Sequence, residues 1–172
     1  PERATKGGLG NAILECDDGV LVGALAAVNA VGEVFDSATG QTIAGVRATV
    51  PGCYESAEDL VLGTLERGAL IGTNTTLGII ATNVQLSKAQ LKKVAEMAHD
   101  GLARAVRPAH TLFDGDTIFA VSVTNAPKRS QEVTPQLINK LGVAAAAAMQ
   151  SAILNAVRLT SSVDGVPAQK DW

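Results

Sequence analysis

One helix pattern lies between two strand patterns, and that order constrains the fold more than any other feature of the chain. Residues 75–84 (TTLGIIATNV) carry apolar and β-branched side chains at Leu77, Ile79, Ile80 and Thr82, the character of a buried strand. Residues 117–124 (TIFAVSVT) read the same way. Between them Ser87 stands where an N-cap belongs, and Gln90 follows three residues later, which makes a capping box. Leu91, Val94, Ala95, Ala98 and Leu102 then recur at helical spacing and form one apolar face, and Pro108 closes the helix. A strand–helix–strand crossover places its two strands parallel and close, with both strand starts at the same edge of the sheet.

The remaining segments fit around that unit. Residues 20–35 (VLVGALAAVNAVGEVF) read as one buried strand, residues 36–41 as a turn, and residues 43–50 as a further strand stopped by Pro51-Gly52. A short helix is expected over residues 57–67. A polar loop covers 125–132, and Thr134-Pro135 opens a long helix that runs to about Leu159. The tail, residues 160–172, is polar and expected to be loose. The two long helices should cover one sheet face of a single domain.

With 47% hydrophobic but only 3% aromatic residues, Val, Ile, Leu and Ala must build the core. A net charge of -3 argues against a general nucleic-acid binder, which needs a basic face. The Ala-rich stretch 143–157 is interrupted by Gln150, Ser151 and Asn155, so it reads as a buried helix and no membrane span is expected. Cys16 and Cys53 read as two reduced thiols of a cytoplasmic protein.

Two short segments carry the candidate chemistry. In Gly72-Thr73-Asn74-Thr75-Thr76 a connector runs directly into a strand with hydroxyl residues at the join, and in Asp114-Gly115-Asp116 two acids bracket a glycine just before the next strand. Each is an ordinary turn sequence when taken alone. Asn74-Thr75-Thr76 also matches a glycosylation sequon, which matters only in a secreted protein. The two histidines, His99 on the helix and His110 in the loop after Pro108, read as structural or surface residues. No G-x-S-x-G elbow is present, and no His, Cys or acid spacing forms a metal set, so neither metal nor cofactor is expected. Lys6-Gly7-Gly8-Leu9-Gly10 lacks the Gly-Lys-Ser/Thr ending of a P-loop and reads as a backbone turn.

The blocks from Asn74 to Asn83, from Met97 to Arg104 (MAHDGLAR), and Pro108-Ala109-His110-Thr111 through Asp114-Gly115-Asp116-Thr117-Ile118-Phe119-Ala120 resemble the DmpA-type aminopeptidases, a family that includes β-peptidyl aminopeptidases and the nylon-oligomer endohydrolase. Lys6-Gly7-Gly8-Leu9-Gly10 and Val28-Asn29 are similar to further family segments. The resemblance covers nearly the whole chain and corresponds to the C-terminal half of a family precursor. It implies an α/β fold of the layered α-β-β-α sandwich type shared with ornithine acetyltransferase. It also implies self-cleavage at the Asn74-Thr75 junction, with residues 1–74 ending the first subunit and residues 75–172 starting the second at the nucleophile Thr75. The family's paired acids fall on Asp114 and Asp116, its pocket asparagine on Asn29 and its lysine on Lys6. The implied reaction is hydrolysis of small peptides or amides through an acyl-enzyme. The implied partners are the N-terminal half of the precursor and further copies in a homo-oligomer.

Elementary chemistry agrees with these roles. A threonine hydroxyl needs a base to take its proton. A free α-amine, with a pKa of about 7.7–8.0, is a usable base on the same residue. Acids at i and i+2 near a strand point roughly the same way and can both reach one site. An asparagine NH₂ can donate to a developing oxyanion. Two rival readings remain open at this point: an acyltransferase of the ornithine acetyltransferase kind, and a non-catalytic homologue of the same fold.

Overall fold

The computed structural model describes residues 3–16, 19–63, 74–123 and 132–172. Its strands are β1 (Gly8–Glu15), β2 (Leu21–Asn29), β3 (Glu33–Asp36), β4 (Gln41–Ala44), β5 (Val46–Arg47), β6 (Tyr54–Glu55), β7 (Thr75–Thr82), β8 (Val106–Arg107) and β9 (Thr117–Ser122). Its helices are α1 (Ala57–Gly63), α2 (Lys88–Ala105) and α3 (Pro135–Arg158). The principal sheet has the order β1-β2-β7-β9, with the first three strands antiparallel and β7 parallel to β9. The expected crossover is therefore present, and α2 makes it. A small β4-β3-β8 sheet and the β5-β6 pair lie beside it.

Both long helices start as expected. Ser87 accepts from the Gln90 amide while Gln90 Oε1 accepts from the Ser87 amide, and Thr134 Oγ1 accepts from the Leu137 amide one turn into α3. Val94, Ala95, Ala98 and Leu102 of α2 are buried, together with thirteen residues of α3. α3 is long and apolar enough to cross a membrane by length and composition, but 61% of that window is buried inside the fold, so it serves as the core helix.

Burial alternates strictly along the sheet. Val22, Ala24, Ala26 and Val28 of β2 and Thr76, Ile80 and Thr82 of β7 face the helices. The opposite face carries Leu9, Ile13, Leu25, Leu77, Ile79 and Phe119, with Ile13 at 72% and Phe119 at 61% exposure. The described chain is thus a helix layer on one side of a sheet whose other side is apolar and open.

Several expectations need correction. Residues 20–35 form two strands, because the chain turns after Asn29. Gly32 passes so close to the Pro108 carbonyl that a Cβ would come within 2.3 Å of it, so only glycine fits that turn. Residues 43–50 likewise divide between the end of β4 and β5, and the 57–67 helix is described only as α1, its last residues lying outside the described set. Most of the expected 125–132 loop also lies outside it. The Lys6–Gly10 glycines do not make a turn: Gly8 opens β1, and Gly8 and Gly10 let α3 press onto the strand, a Cβ on Gly10 falling 2.2 Å from the Ala156 nitrogen. The tail is anchored, not loose. Lys6 N–H donates to the Pro167 carbonyl, Ala168 is fully buried, and the Trp172 indole N–H donates to the Cys53 carbonyl under the Arg47 guanidinium. Both cysteines are free thiols, as expected.

The α2–α3 contact gives a sharp test. A Cβ on Gly101 would lie 2.0 Å from the Ala146 carbonyl oxygen of α3. Helix propensity alone favours Gly101→Ala by about 1 kcal/mol, whereas overpacking against backbone costs about 1–3 kcal/mol. The expected outcome is net destabilisation, read as a lower denaturation midpoint. A midpoint that rises would show that the two helices can separate without cost.

Candidate active site

The site forms where β7 begins. The parallel register pairs Leu77 with Thr117, and the isolated bridge between Asn74 and Asp114 continues it back past the strand starts. Thr75 therefore lies beside Gly115, and Thr76 beside Asp116. On the other side Asn29, the last residue of β2, is the antiparallel partner of Thr75. Residues directly opposite in such a pair share a face, here the open one.

Two donors meet at one carbonyl. Thr75 Oγ1–H donates to the Asn74 oxygen at 2.7 Å, and the Gly115 amide donates to the same oxygen at 3.3 Å. The hydroxyl thus lies against the peptide bond that precedes it, and that carbonyl is already polarised. Gly115 has a steric role as well, since a Cβ there would lie 2.6 Å from Thr75 Oγ1. Sequence reading treated this glycine only as a spacer between two acids. The signal for it exists only once the register places it beside the threonine.

The two acids divide their work. The Asp116 side chain is only 5% exposed; its Oδ1 accepts from the Thr76 amide at 2.8 Å and its Oδ2 faces His110 Nδ1 at 3.4 Å. Asp114 turns back into its own loop, where Oδ2 accepts from the Thr111 amide at 2.9 Å and from its hydroxyl at 2.8 Å. The two carboxylates thus bind different partners. Thr111, on the turn before Asp114, captures the Asp114 carboxylate, and Asp116 is the acid that reaches the Thr75-Thr76 backbone.

A cavity of about 510 Å³ opens at this end of the sheet, and Lys6, Asn29 and Asn74 are among its lining residues. Lys6 Nζ donates to the Gly7 carbonyl at 2.8 Å, beside the end of β2. Lys6, Asn29, Thr75 and Asp116 are thus gathered from four separate segments, with Asp114 supporting the loop. No group of three or more His, Cys, Asp or Glu residues able to hold a metal occurs among the described residues.

The histidines are not bystanders. His110 contacts Asp116, and the His99 ring packs 4.9 Å from the His110 ring, tilted by 59°. Burial lowers the His99 pKa from its ordinary value, and neighbouring His110 lowers it further, against a weaker upward pull from Asp116 and Asp100.

The comparisons with known proteins decide which family this arrangement belongs to. The model of peptidase family S58 matches residues 3–170. The chain belongs to peptidase family S58. An uncharacterized aminopeptidase of Mycobacterium tuberculosis (strain ATCC 25618 / H37Rv) is 38% identical over 98% of this chain and 52% of its own length. A 6-aminohexanoate-oligomer endohydrolase of Kocuria sp. (strain KY2) is 34% identical over 49% of this chain and 25% of its own length. Among solved structures, a Burkholderia sp. beta-aminopeptidase superposes with a TM-score of 0.63 at 26% identity, over 96% of this chain and 46% of that one. The L-aminopeptidase D-Ala-esterase/amidase of Ochrobactrum anthropi, described as a variant of the Ntn hydrolase fold, superposes at 0.58 over 96% of this chain and 44% of that one; at 19% identity it shares the fold. The family and fold expected from the sequence are thereby shown. The S58 chain spans about half the length of the curated relatives it matches.

Two outcomes follow for the S58 chain. Gly115→Ala should force Thr75 Oγ1 off the Asn74 carbonyl, so any step in which this hydroxyl attacks should slow by about tenfold or more, the cost of misplacing a reacting atom; an unchanged rate would mean that the loop yields. His99 resists protonation when folded, so the unfolded chain binds the proton first as pH falls below about 6.5. The stability that neutral His99 contributes is complete above that pH and is lost toward acid. Thermal unfolding followed from pH 7 to pH 5 should therefore show a smaller acid-side loss in His99→Gln than in the parent.

Proposed function

We propose that this chain carries the catalytic centre of an amide hydrolase that makes its own nucleophile by cutting the Asn74-Thr75 bond. The observation that supports this reading best is the Thr75 hydroxyl lying on the carbonyl of the preceding peptide, with a second donor, the Gly115 amide, on the same oxygen. In the processing step Oγ adds to the Asn74 carbonyl carbon, and the Gly115 amide steadies the oxygen as it gains charge. The carbon–nitrogen bond then breaks, giving an ester and a free α-amine on Thr75. Water hydrolyses the ester.

In turnover the new amine takes the Oγ proton and Oγ attacks the substrate carbonyl; the carbon–nitrogen bond breaks, the substrate's amine leaves with that proton, and water hydrolyses the acyl-enzyme that remains. Asn29, opposite Thr75 in the sheet, is suited to donate to the oxyanion. Lys6, on the same cavity, adds positive charge nearby. Asp116 lies one peptide unit from the amine and is suited to hold its protonated form, and Asp114 keeps the Asp116 loop in place. The names of the relatives, aminopeptidase and oligomer endohydrolase, favour small peptides or amides as substrates. Residues 1–74 would then end one subunit and residues 75–172 begin the next. The remaining half of the protein would cover the open apolar sheet face, on which Asn29 and Thr75 also lie, and so complete the substrate pocket.

The test is intact-mass analysis and N-terminal sequencing of the full-length protein after folding. A new N-terminus reading Thr-Thr-Leu-Gly is expected, with the two pieces still associated because β2 and β7 share a core. Thr75→Ala should abolish both cleavage and hydrolysis, and Thr75→Ser should keep part of the cleavage. A start at any other residue would sink the proposal. Asn29→Ala should slow turnover by about 10²–10³ if it supplies one oxyanion donor; a change confined to KM would make it a binding residue instead.

A further inference from the structure

The carboxylate nearest the nucleophile is held from two sides, and the second side is a residue that neither the family match nor the reading of Thr75 calls upon. Asp116 Oδ1 is taken by the Thr76 amide at 2.8 Å, which leaves Oδ2 to be fixed by something else. His110 presents its Nδ1 to that oxygen at 3.4 Å. Asp116 is almost completely buried, so water cannot readily take that place, whereas His110 is 40% exposed and bridges the buried acid to solvent.

The backbone is arranged for this contact. His110 has φ 58°, in the left-handed region that side chains other than glycine seldom enter. A backbone of that kind persists only where the surroundings fix it. Here the imidazole has Asp116 on one side and the His99 ring of α2, at 4.9 Å, on the other. The charged and titratable groups around the pair are Asp116 from the loop before β9, and His99 and Asp100 from α2. Burial, and next the neighbouring His110 ring, make His99 resist protonation.

We infer that His110 is the positioning residue for Asp116, its Nδ1–H holding one carboxylate oxygen so that the other stays on the Thr75-Thr76 backbone, where the amine forms on cleavage. This rests on the reading of Thr75 as nucleophile. An imidazole suits the task because Nδ1 can carry its hydrogen in both the neutral and the charged ring, provided the neutral ring is the Nδ1–H tautomer. The partner of one ring nitrogen is what selects that tautomer. His110 would not touch the substrate.

Two readouts on the full-length protein test the inference separately from the activity. In ¹⁵N-histidine-labelled Thr75→Ala protein, which cannot turn over, long-range proton–nitrogen correlation reports each ring's tautomer, and His110→Gln identifies the His110 signal. The expected result is an Nδ1–H ring in neutral His110, shifted toward the Nε2–H form by Asp116→Ala. In active protein, His110→Ala should lower kcat by about tenfold, the scale of one hydrogen bond to a charged group, with KM changed by less than about twofold. His110→Gln, which keeps an N–H donor, should restore most of the loss. An Nε2–H ring indifferent to Asp116→Ala would overturn the inference, as would a Gln variant as impaired as the Ala variant. If the tautomer follows Asp116 and the parent protein hydrolyses no amide, the failure lies with the proposed function and the positioning contact stands.

Discussion

The parallel pairing of β7 with β9 is the constraint on which the rest of the molecule depends. Among the described strands it is the one parallel pairing in a sheet that is otherwise antiparallel, and it requires a crossover connection. α2 supplies that crossover. The pairing brings two strand starts to one edge, and the same register, carried back by the Asn74–Asp114 bridge, sets Gly115 against Thr75 and Asp116 against Thr76. The site is in this sense a continuation of the sheet, two residues beyond where the strands formally begin.

Close packing of small residues keeps that register fixed. With few aromatics to fill space, the core relies on approach distance, and Gly8, Gly10 and Gly101 are among the points where a Cβ would run into backbone. α3 lies directly on β1 through Gly8 and Gly10, and on α2 through Gly101. At one end Arg158 of α3 pairs with the buried Asp36 of β3, whose pKa is lowered first by the Ala38 amide and then by that arginine, against the opposing effect of its own burial. This ties the small sheet to the helix layer near the cavity.

What could be read from the sequence was whatever depends on neighbours in the chain. Ser87 with Gln90 and Thr134 with Pro135 announce helix starts within four residues, and the alternating burial of β7 and β9 is written in their β-branched residues. The Asn74-Thr75 junction and the acids after it were legible as a resemblance. The glycines of residues 7–10 were misread because their reason lies far along the chain, in the backbone of α3. The single strand over residues 20–35 was divided for a similar reason, since Gly32 must clear the carbonyl of Pro108. His110 stands in a family-like block yet reads there as a structural or surface residue: a lone histidine in a loop gains a role only when a buried carboxylate stands across from it. The split between Asp114 and Asp116 was hidden because it depends on which neighbour each carboxylate meets, Thr111 for one and the Thr76 amide for the other.

The bridge between Asn74 and Asp114 has a further consequence for the order of events. In the intact chain Asn74 offers a neutral carbonyl to this corner, and the Gly115 amide donates to it. Hydrolysis there would leave a terminal carboxylate in its place, within a few ångströms of a loop that already holds two acids. Like charges at such separations repel appreciably even near a protein surface. If the proposed cleavage takes place, that repulsion would work against the return of the severed end to Thr75, so the cut that unmasks the hydroxyl would also oppose its own reversal.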